Sequence, residues 1–388
     1  MSVTAAKGFV ASGIEAHIRK GGLDLALVHS TQRAVGAAMW TTNRVQAAPV
    51  LVSKRHLAQA EPQAVVVNAG VANAATGAQG EADAEATAAA VAKSLGIEAE
   101  EVVVLSTGVI GATLPMDKVL AGVGAAFGAL SPDGGAAAAS AILTTDSGPK
   151  VAAVSRGGFT VGGMAKGAGM IHPCLATMLA VVTTDYPLEP GEADAFLRPA
   201  VEASFNRISV DGECSTNDAV VLLANGASGI ADRDSAKDEI FAEALSELCA
   251  DLARQIVQDG EGATVLLEIV VTSASSSGEA HAIARRIATS PLVKTAAFGH
   301  DPNWGRVLAA AGSAPWNGGF AELDPDRLSV SFDGTPVFVR GAPTGATPEL
   351  GGGVCRIELD LSLGDGRASY LASDLSYDYV RINAEYTT

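Results

Sequence analysis

The chain has 388 residues, 48% of them hydrophobic and only 5% aromatic, with 43 glycines. It is long enough for a full core and more than one folding unit, and too apolar for a disordered chain. Its 26 basic and 43 acidic residues leave a net charge of −17, which argues against a nucleic-acid or anionic-membrane partner.

The first 60 residues read as short strands joined by turns, clearest at 23–29 and 34–40. Ala64–Asn68 is a buried strand that runs into a loop of small and amide residues, Ala69–Gly77. An Ala-rich helix over 81–95 stops at Gly96. The next strand, 101–106, leads to Thr107-Gly108, where a hydroxyl and an unhindered backbone N–H share one loop. Such a pair suits an oxyanion hole or an ordinary strand-to-helix turn. Helices follow from Pro115 and over about 134–143, and the second leads into Thr144-Thr145-Asp146.

Strands near 151–155 and 158–163 feed Lys166–Asp185, which passes from a glycine-rich segment through His172-Pro173 into an apolar run. Ala176 and Thr177 stand at that change of character. A helix then extends to about 206, and strands at 208–211 and 219–223 flank Gly212–Asp218. A long amphipathic helix, 235–258, ends in Asp259-Gly-Glu261-Gly before a strand over 265–271. Thr272–Gly278 is the strongest linker signal, so the expected boundary divides 1–271 from 272–388. Beyond it lie a helix over 279–288, strands near 327–333, 353–361 and 367–372, and a tail through Asn383 to Thr388. In His300–Arg306, Asp301 reads as a helix N-cap and Pro302 as the first helical residue.

The four cysteines form no CxxC pair and the six histidines no HExxH, which speaks against a metal site and against a disulfide framework. No P-loop or Gly-x-Ser-x-Gly elbow is present, so no cofactor is expected. With no signal-peptide layout and no apolar run of ~18–20 residues, the expectation is a soluble, cytoplasmic protein. A hydroxyl nucleophile still needs a base. An N-terminal threonine carries its own, because its α-amine can take the hydroxyl proton at neutral pH. Thr177 has that amine only if the Ala176–Thr177 bond is cut, which the residues allow but do not require.

Lys166-Gly-Ala-Gly-Met-Ile-His-Pro-Cys-Leu-Ala-Thr177-Met-Leu resembles the autocleavage motif of the ArgJ family, glutamate N-acetyltransferases also called ornithine acetyltransferases. Further blocks resemble the family in order: Asn68–Gly77, Ser106–Gly111, Thr144–Asp146, Ser215–Asp218, Asp259–Thr264, Asp301–Arg306 and Asn383–Thr388. Cys174 is a variable spot, where other members carry a different polar or small residue.

The resemblance implies an α/β/β/α sandwich with a smaller C-terminal α+β unit. It also implies cleavage into an α chain (1–176) and a β chain (177–388) that pair as an α2β2 heterotetramer. The neutral part of the sequence, with 12 basic and 12 acidic residues, would be the α chain; the β chain would carry the whole −17. The reaction implied is acetyl transfer from N2-acetylornithine to glutamate, with Thr177 as nucleophile and Thr107 and Gly108 as the oxyanion hole. Substrate contacts would be Thr144 or Thr145, Lys166, Thr177, Glu261, Asn383 and Thr388, with Lys166 facing an α-carboxylate and Glu261 the ornithine ammonium. No motif separates members that also accept acetyl-CoA. A self-processed amidohydrolase, which would pass the acyl group to water, is the alternative within similar architecture.

Overall fold

The computed structural model describes residues 2–172 and 178–385. Residues 173–177, with Ala176 and Thr177, lie outside the described residues, as does Thr388. Two compact units are formed: the first from residues up to Asn206 together with Glu213–Ile256, the second from Arg207–Gly212 and the chain from Val257 onward.

The first unit opens with β1 (Phe9–Ile14), β2 (Leu25–Ser30), β3 (Val35–Trp40), α1 (Ala48–Leu57), β4 (Ala64–Val71) and α2 (Gly77–Leu95). It continues with β5 (Val102–Val109), α3 (Met116–Gly128), α4 (Gly135–Ala141), β6 (Lys150–Arg156), β7 (Phe159–Lys166), β8 (Leu179–Thr184) and α5 (Ala193–Ala203). The short β9 (Ile208–Ser209) belongs to the second unit; β10 (Ala219–Ala224) and α6 (Ser235–Gln258) follow it.

Two sheets result, ordered β1-β2-β4-β5 and β3-β10-β8-β7-β6. Their strands are nearly continuous apolar runs because both faces of each sheet are covered. Val65, Val67, Val103 and Leu105 of the first sheet share a core with Val181, Val221 and Leu223 of the second, with Ala138 and Ile142 alongside. On the outer face of the first sheet, Val66, Val102 and Val104 meet Ala84, Ala88 and Val91 of α2 and Val123 of α3. On the second sheet, α5 packs on β3 and β10. Leu248 and Leu252 of α6 press so closely on β7 that a Cβ on Gly163 would stand 2.9 Å from Leu252. The layers are therefore α/β/β/α, as expected.

Helix α1 replaces one of the strands expected in the first 60 residues. Pro49 sits in its first turn and Lys54, Arg55 and His56 in its last, positions that suit a helix. Its buried Ser53 donates to the Val104 carbonyl at 2.9 Å and accepts the Val104 N–H at 2.8 Å, so a helical side chain serves the β5 backbone in place of a further strand.

The second unit contains β11 (Val265–Ala274), α7 (Ser277–Ala288), α8 (Pro291–Phe298), α9 (Trp304–Ala311) and the two-residue strands β12 (Pro315–Trp316) and β13 (Gly319–Phe320). After these come β14 (Ser329–Phe332), β15 (Thr335–Val339), β16 (Ala342–Pro343), β17 (Gly353–Asp360), β18 (Gly366–Ser373) and α10 (Tyr377–Glu385). Its mixed sheet runs β16-β15-β14-β17-β11-β18-β9. Leu267, Ile269 and Val271 share its core with Ile283, Ile287, Ile357 and Tyr370, which makes this the smaller α+β unit.

The boundary expected at 271/272 falls inside β11, and the unit begins earlier, at Val257. The Ser/Thr run is not a linker. Thr272–Ala274 continues the strand through an irregularity in its pairing with β18, and Ser276 caps α7 by accepting the Glu279 N–H at 3.2 Å. The cap of α9 is likewise Asn303 and not Asp301, with Pro302 ahead of the helix where its missing N–H costs nothing.

Candidate active site

Thr107 and Gly108 stand near the end of β5, beside the end of its parallel neighbour β4, where Gly70 pairs with Gly108 and the register then shifts. Gly108 has φ +131°, and a Cβ there would lie 2.2 Å from the Gly70 carbonyl carbon, so only glycine fits. Amide side chains hold both strand ends. Asn217 donates to the carbonyls of Ala72 (2.7 Å) and Ser106 (2.8 Å), and Ser106 Oγ donates to Asn68 Oδ1 at 2.6 Å. Asn217, Asn68, Ser106 and Thr107 are all buried, so these bonds form away from water, where an unmade one is expensive.

Lys166, the last residue of β7, is buried with 3% of its surface exposed, and its Nζ donates to Thr107 Oγ1 at 3.2 Å. An ammonium can only donate, so this contact uses a lone pair of the threonine oxygen and leaves the Thr107 O–H proton free to point elsewhere. A hydroxyl and the cation bonded to it thus meet beside a glycine where three strands end. That combination suits a carbonyl oxygen acquiring negative charge.

Behind Lys166 lies Asp146, whose side chain is fully buried. Its Oδ1 accepts the Gly167 N–H at 2.6 Å and Lys150 Nζ at 2.5 Å, and its Oδ2 accepts the Thr144 N–H at 3.0 Å. Burial alone would raise the pKa of this carboxyl. The charges of Lys166 and Lys150, with the bonds from Lys150 and Thr144, outweigh burial and hold it far below the usual carboxylate range. Thr144 is therefore tied to Lys166 through Asp146, and Thr145 is the half-buried next residue of the same loop.

Just beyond 173–177, the Met178 N–H donates to Asp218 Oδ1 at 3.0 Å, and Asp218 is fully buried. The residues on both sides of the undescribed junction are thus anchored to buried carboxylates, Gly167 on Asp146 and Met178 on Asp218.

In the second unit Glu261 and Asn383, distant in sequence, form their own pair: Asn383 Nδ2 donates to Glu261 Oε2 at 2.9 Å. Gly262 makes this possible. It has φ +66°, and a Cβ on it would stand 2.4 Å from the Tyr379 backbone nitrogen, so the turn lies directly against the start of α10. Ser376 Oγ donates to the Gly262 carbonyl at 2.6 Å, and Asp374 accepts from both the N–H (2.8 Å) and the hydroxyl (2.5 Å) of Thr264.

The sequence alone does not single out Asp146, Asn217 or Asp218, though each lies in a block that carries the resemblance. Among the described residues no group of three or more His, Cys, Asp or Glu side chains could hold a metal ion, and no helix is long and apolar enough to cross a membrane.

Residues 10–388 match the family model described as "ArgJ family". The arginine biosynthesis bifunctional protein ArgJ of Mycolicibacterium paratuberculosis is 50% identical over 400 residues, covering 100% of this chain and 96% of that protein. The protein of the same name from Streptomyces coelicolor is 48% identical over 393 residues, covering 100% of both. Among solved structures, ornithine acetyltransferase complexed with ornithine from Mycobacterium tuberculosis is 48% identical over 44% of this chain and 94% of that one, with a TM-score of 0.43.

Proposed function

The chain belongs to the ArgJ family, and on that premise we propose that it is an ornithine acetyltransferase of arginine biosynthesis, carrying the acetyl group of N2-acetylornithine to glutamate. The observation that carries this reading is the chain-long likeness to relatives about half identical, across both units and both sides of the 176/177 junction. Their bifunctional name supports acetyl-CoA as a second acetyl donor. The reading includes a cytoplasmic enzyme without a cofactor, active as an α2β2 assembly of its own two pieces.

In the first step Thr177 Oγ attacks the Ala176 carbonyl carbon. An ester forms as the Ala176–Thr177 amide breaks, and the threonine nitrogen takes the hydroxyl proton. Water then hydrolyses the ester, which leaves a carboxylate on Ala176, an N-terminal amine on Thr177 and its hydroxyl restored. That amine next takes the hydroxyl proton as the oxygen attacks the acetyl carbonyl of acetylornithine, and it returns the proton to the departing ornithine nitrogen. The neutral amine of glutamate discharges the acetyl-threonine, giving N-acetylglutamate and returning a proton to the hydroxyl.

In each step a tetrahedral oxyanion needs donors. Support for Thr107 in that role is the Lys166 contact, which occupies an oxygen lone pair and leaves the Thr107 proton available for donation. Thr144 or Thr145, Lys166, Glu261, Asn383 and Thr388 are the substrate contacts in this reading, with Glu261 opposite the ornithine ammonium.

Incubation with acetylornithine tests the proposal. Ornithine release that depends on glutamate, with N-acetylglutamate formed in equal amount, is expected; release without glutamate and with free acetate would make the chain an amidohydrolase. Intact mass should give two pieces, 1–176 and 177–388, and Thr177→Ala a single uncut chain.

A further inference from the structure

The loop between β1 and β2 is drawn together by Asp24, which is fully buried. Its carboxylate accepts the N–H groups of Ala16 (2.6 Å), Ile18 (2.6 Å) and Arg19 (3.0 Å), and its backbone carbonyl accepts the Ala69 N–H at 2.9 Å. Arg19 is thereby fixed beside the end of β4. A Cβ on Gly70 would stand 2.8 Å from the Arg19 Cβ, and Gly70 is the residue that pairs with Gly108. The Arg19 guanidinium then spans two carbonyls. Nη2 donates to that of Leu23 at 2.8 Å, and Nη1 donates to that of Leu143, the residue before Thr144-Thr145, at 2.7 Å. The buried Nε–H has no hydrogen-bond partner among the described residues. An orphaned N–H subtracts from stability, so the two carbonyls set the place of this side chain, and saturation of its donors does not. One arginine therefore joins the strand end that carries Thr107-Gly108 to the loop that carries Thr144, Thr145 and Asp146.

We propose that Arg19 is a positioning residue of the transfer site: it fixes the distance between the Thr107-Gly108 strand end and the Thr144-Thr145 loop. The inference rests on the roles proposed above for those four residues and gives Arg19 no contact with substrate. A planar guanidinium holds two carbonyls at once in a set geometry, which an ammonium on a flexible stem does not reproduce. Loss of the Leu143 bond frees the loop, while Asn217 still holds the Ser106 carbonyl and Ser106 still bonds Asn68. Affinity should therefore fall more than turnover.

The test compares Arg19→Lys and Arg19→Met with Lys118→Met, which cuts the Lys118 bond to the His17 carbonyl in the same loop and spares Arg19. Two readouts are taken on the whole protein. One is steady-state acetyl transfer from N2-acetylornithine to glutamate; the other is hydrogen exchange of the peptide spanning 142–149, which needs no turnover. Both Arg19 variants should raise KM for acetylornithine about fivefold or more, with kcat within about threefold of wild type. Both should also speed exchange of that peptide about tenfold, and Lys118→Met should match wild type in each readout. Wild-type exchange in both Arg19 variants would overturn the inference, and so would a rise in KM shared by Lys118→Met. Faster exchange in the Arg19 variants of a protein whose wild type transfers no acetyl group would support the hold of Arg19 on the loop and sink the proposed function.

Discussion

The two groups of site residues are built in opposite ways. In the first unit Thr107, Lys166 and Asp146 are buried, and each is held by strand ends that meet across long stretches of sequence. In the second unit Asn383 is exposed and meets Glu261 through a single side-chain bond, while the precision lies beneath them, in Gly262, Ser376 and Asp374. Charge stabilisation is strongest where water is excluded and the groups cannot relax, as in the first cluster. Recognition of a charged, flexible side chain tolerates an open setting like the second. If the proposed function holds, the first cluster should govern rate and the second affinity.

Thr107→Ala tests that division most severely. It should lower kcat about 10²–10³-fold, about 2.7–4 kcal/mol, with a small change in KM. Equal loss in both parameters would erase the distinction.

The buried charges of the two units should also respond to pH with the same sign, each adding stability as the pH rises, but in separate windows. Asp146 is held below its unfolded value near 3.8, so its contribution is fully present above that pH and is lost as the pH falls below it. Lys294 in α8 is buried against Ser373, and burial pushes its pKa from 10.5 down to about 8 despite the charges of Asp374 and Asp211. Between about pH 8 and 10.5 the unfolded state binds the extra proton, so stability should rise with pH by up to about 3 kcal/mol. Urea unfolding of wild type and Lys294→Met checks this: the variant should lose the alkaline rise while keeping the acid fall.

Gly262→Ala strains a left-handed residue against the Tyr379 amide and should cost about 1–3 kcal/mol of stability. With it, KM for acetylornithine should rise several-fold while kcat stays within about twofold, as steady-state kinetics would show. Asn383→Ala should have the smallest effect. An exposed hydrogen bond contributes about 0.5 kcal/mol, so KM should roughly double and kcat should not move. A larger fall in kcat than in affinity for either variant would place the second cluster in the chemistry.

Much of this layout was readable from the residues. The run from Val102 announced a strand leading to Thr107-Gly108, although the fold keeps those two residues inside the strand, and Ala64–Asn68 announced a buried strand. In the sequence Asp146 does not stand out, because a lone carboxylate after two threonines has no partner in view. Its importance comes from Lys166 and Gly167, which only the folded chain brings to it. Asn217 was hidden similarly: its two carbonyl partners, on Ala72 and Ser106, are far away in sequence. The 272–278 run misled because serine and threonine suit linkers, strand ends and helix caps alike, and here they serve as strand end and cap. Helix α1 departs from the expected strands because Val50-Leu51-Val52 is a short apolar run that suits either a helix or a strand, and its place against β5 is a tertiary matter.

The order β3-β10-β8-β7-β6 gives the 176/177 junction a mechanical consequence. β8 and β10 come after the junction, yet they lie between β3 on one side and β7 on the other, both from before it. The two products of a cut there would be dovetailed into a single sheet, and pulling them apart would mean unzipping two full ladders of backbone bonds together. A severed chain of this design stays assembled without a disulfide or a linker, and its new amino end begins one residue before Met178, already fastened to Asp218 at the margin of an interior strand.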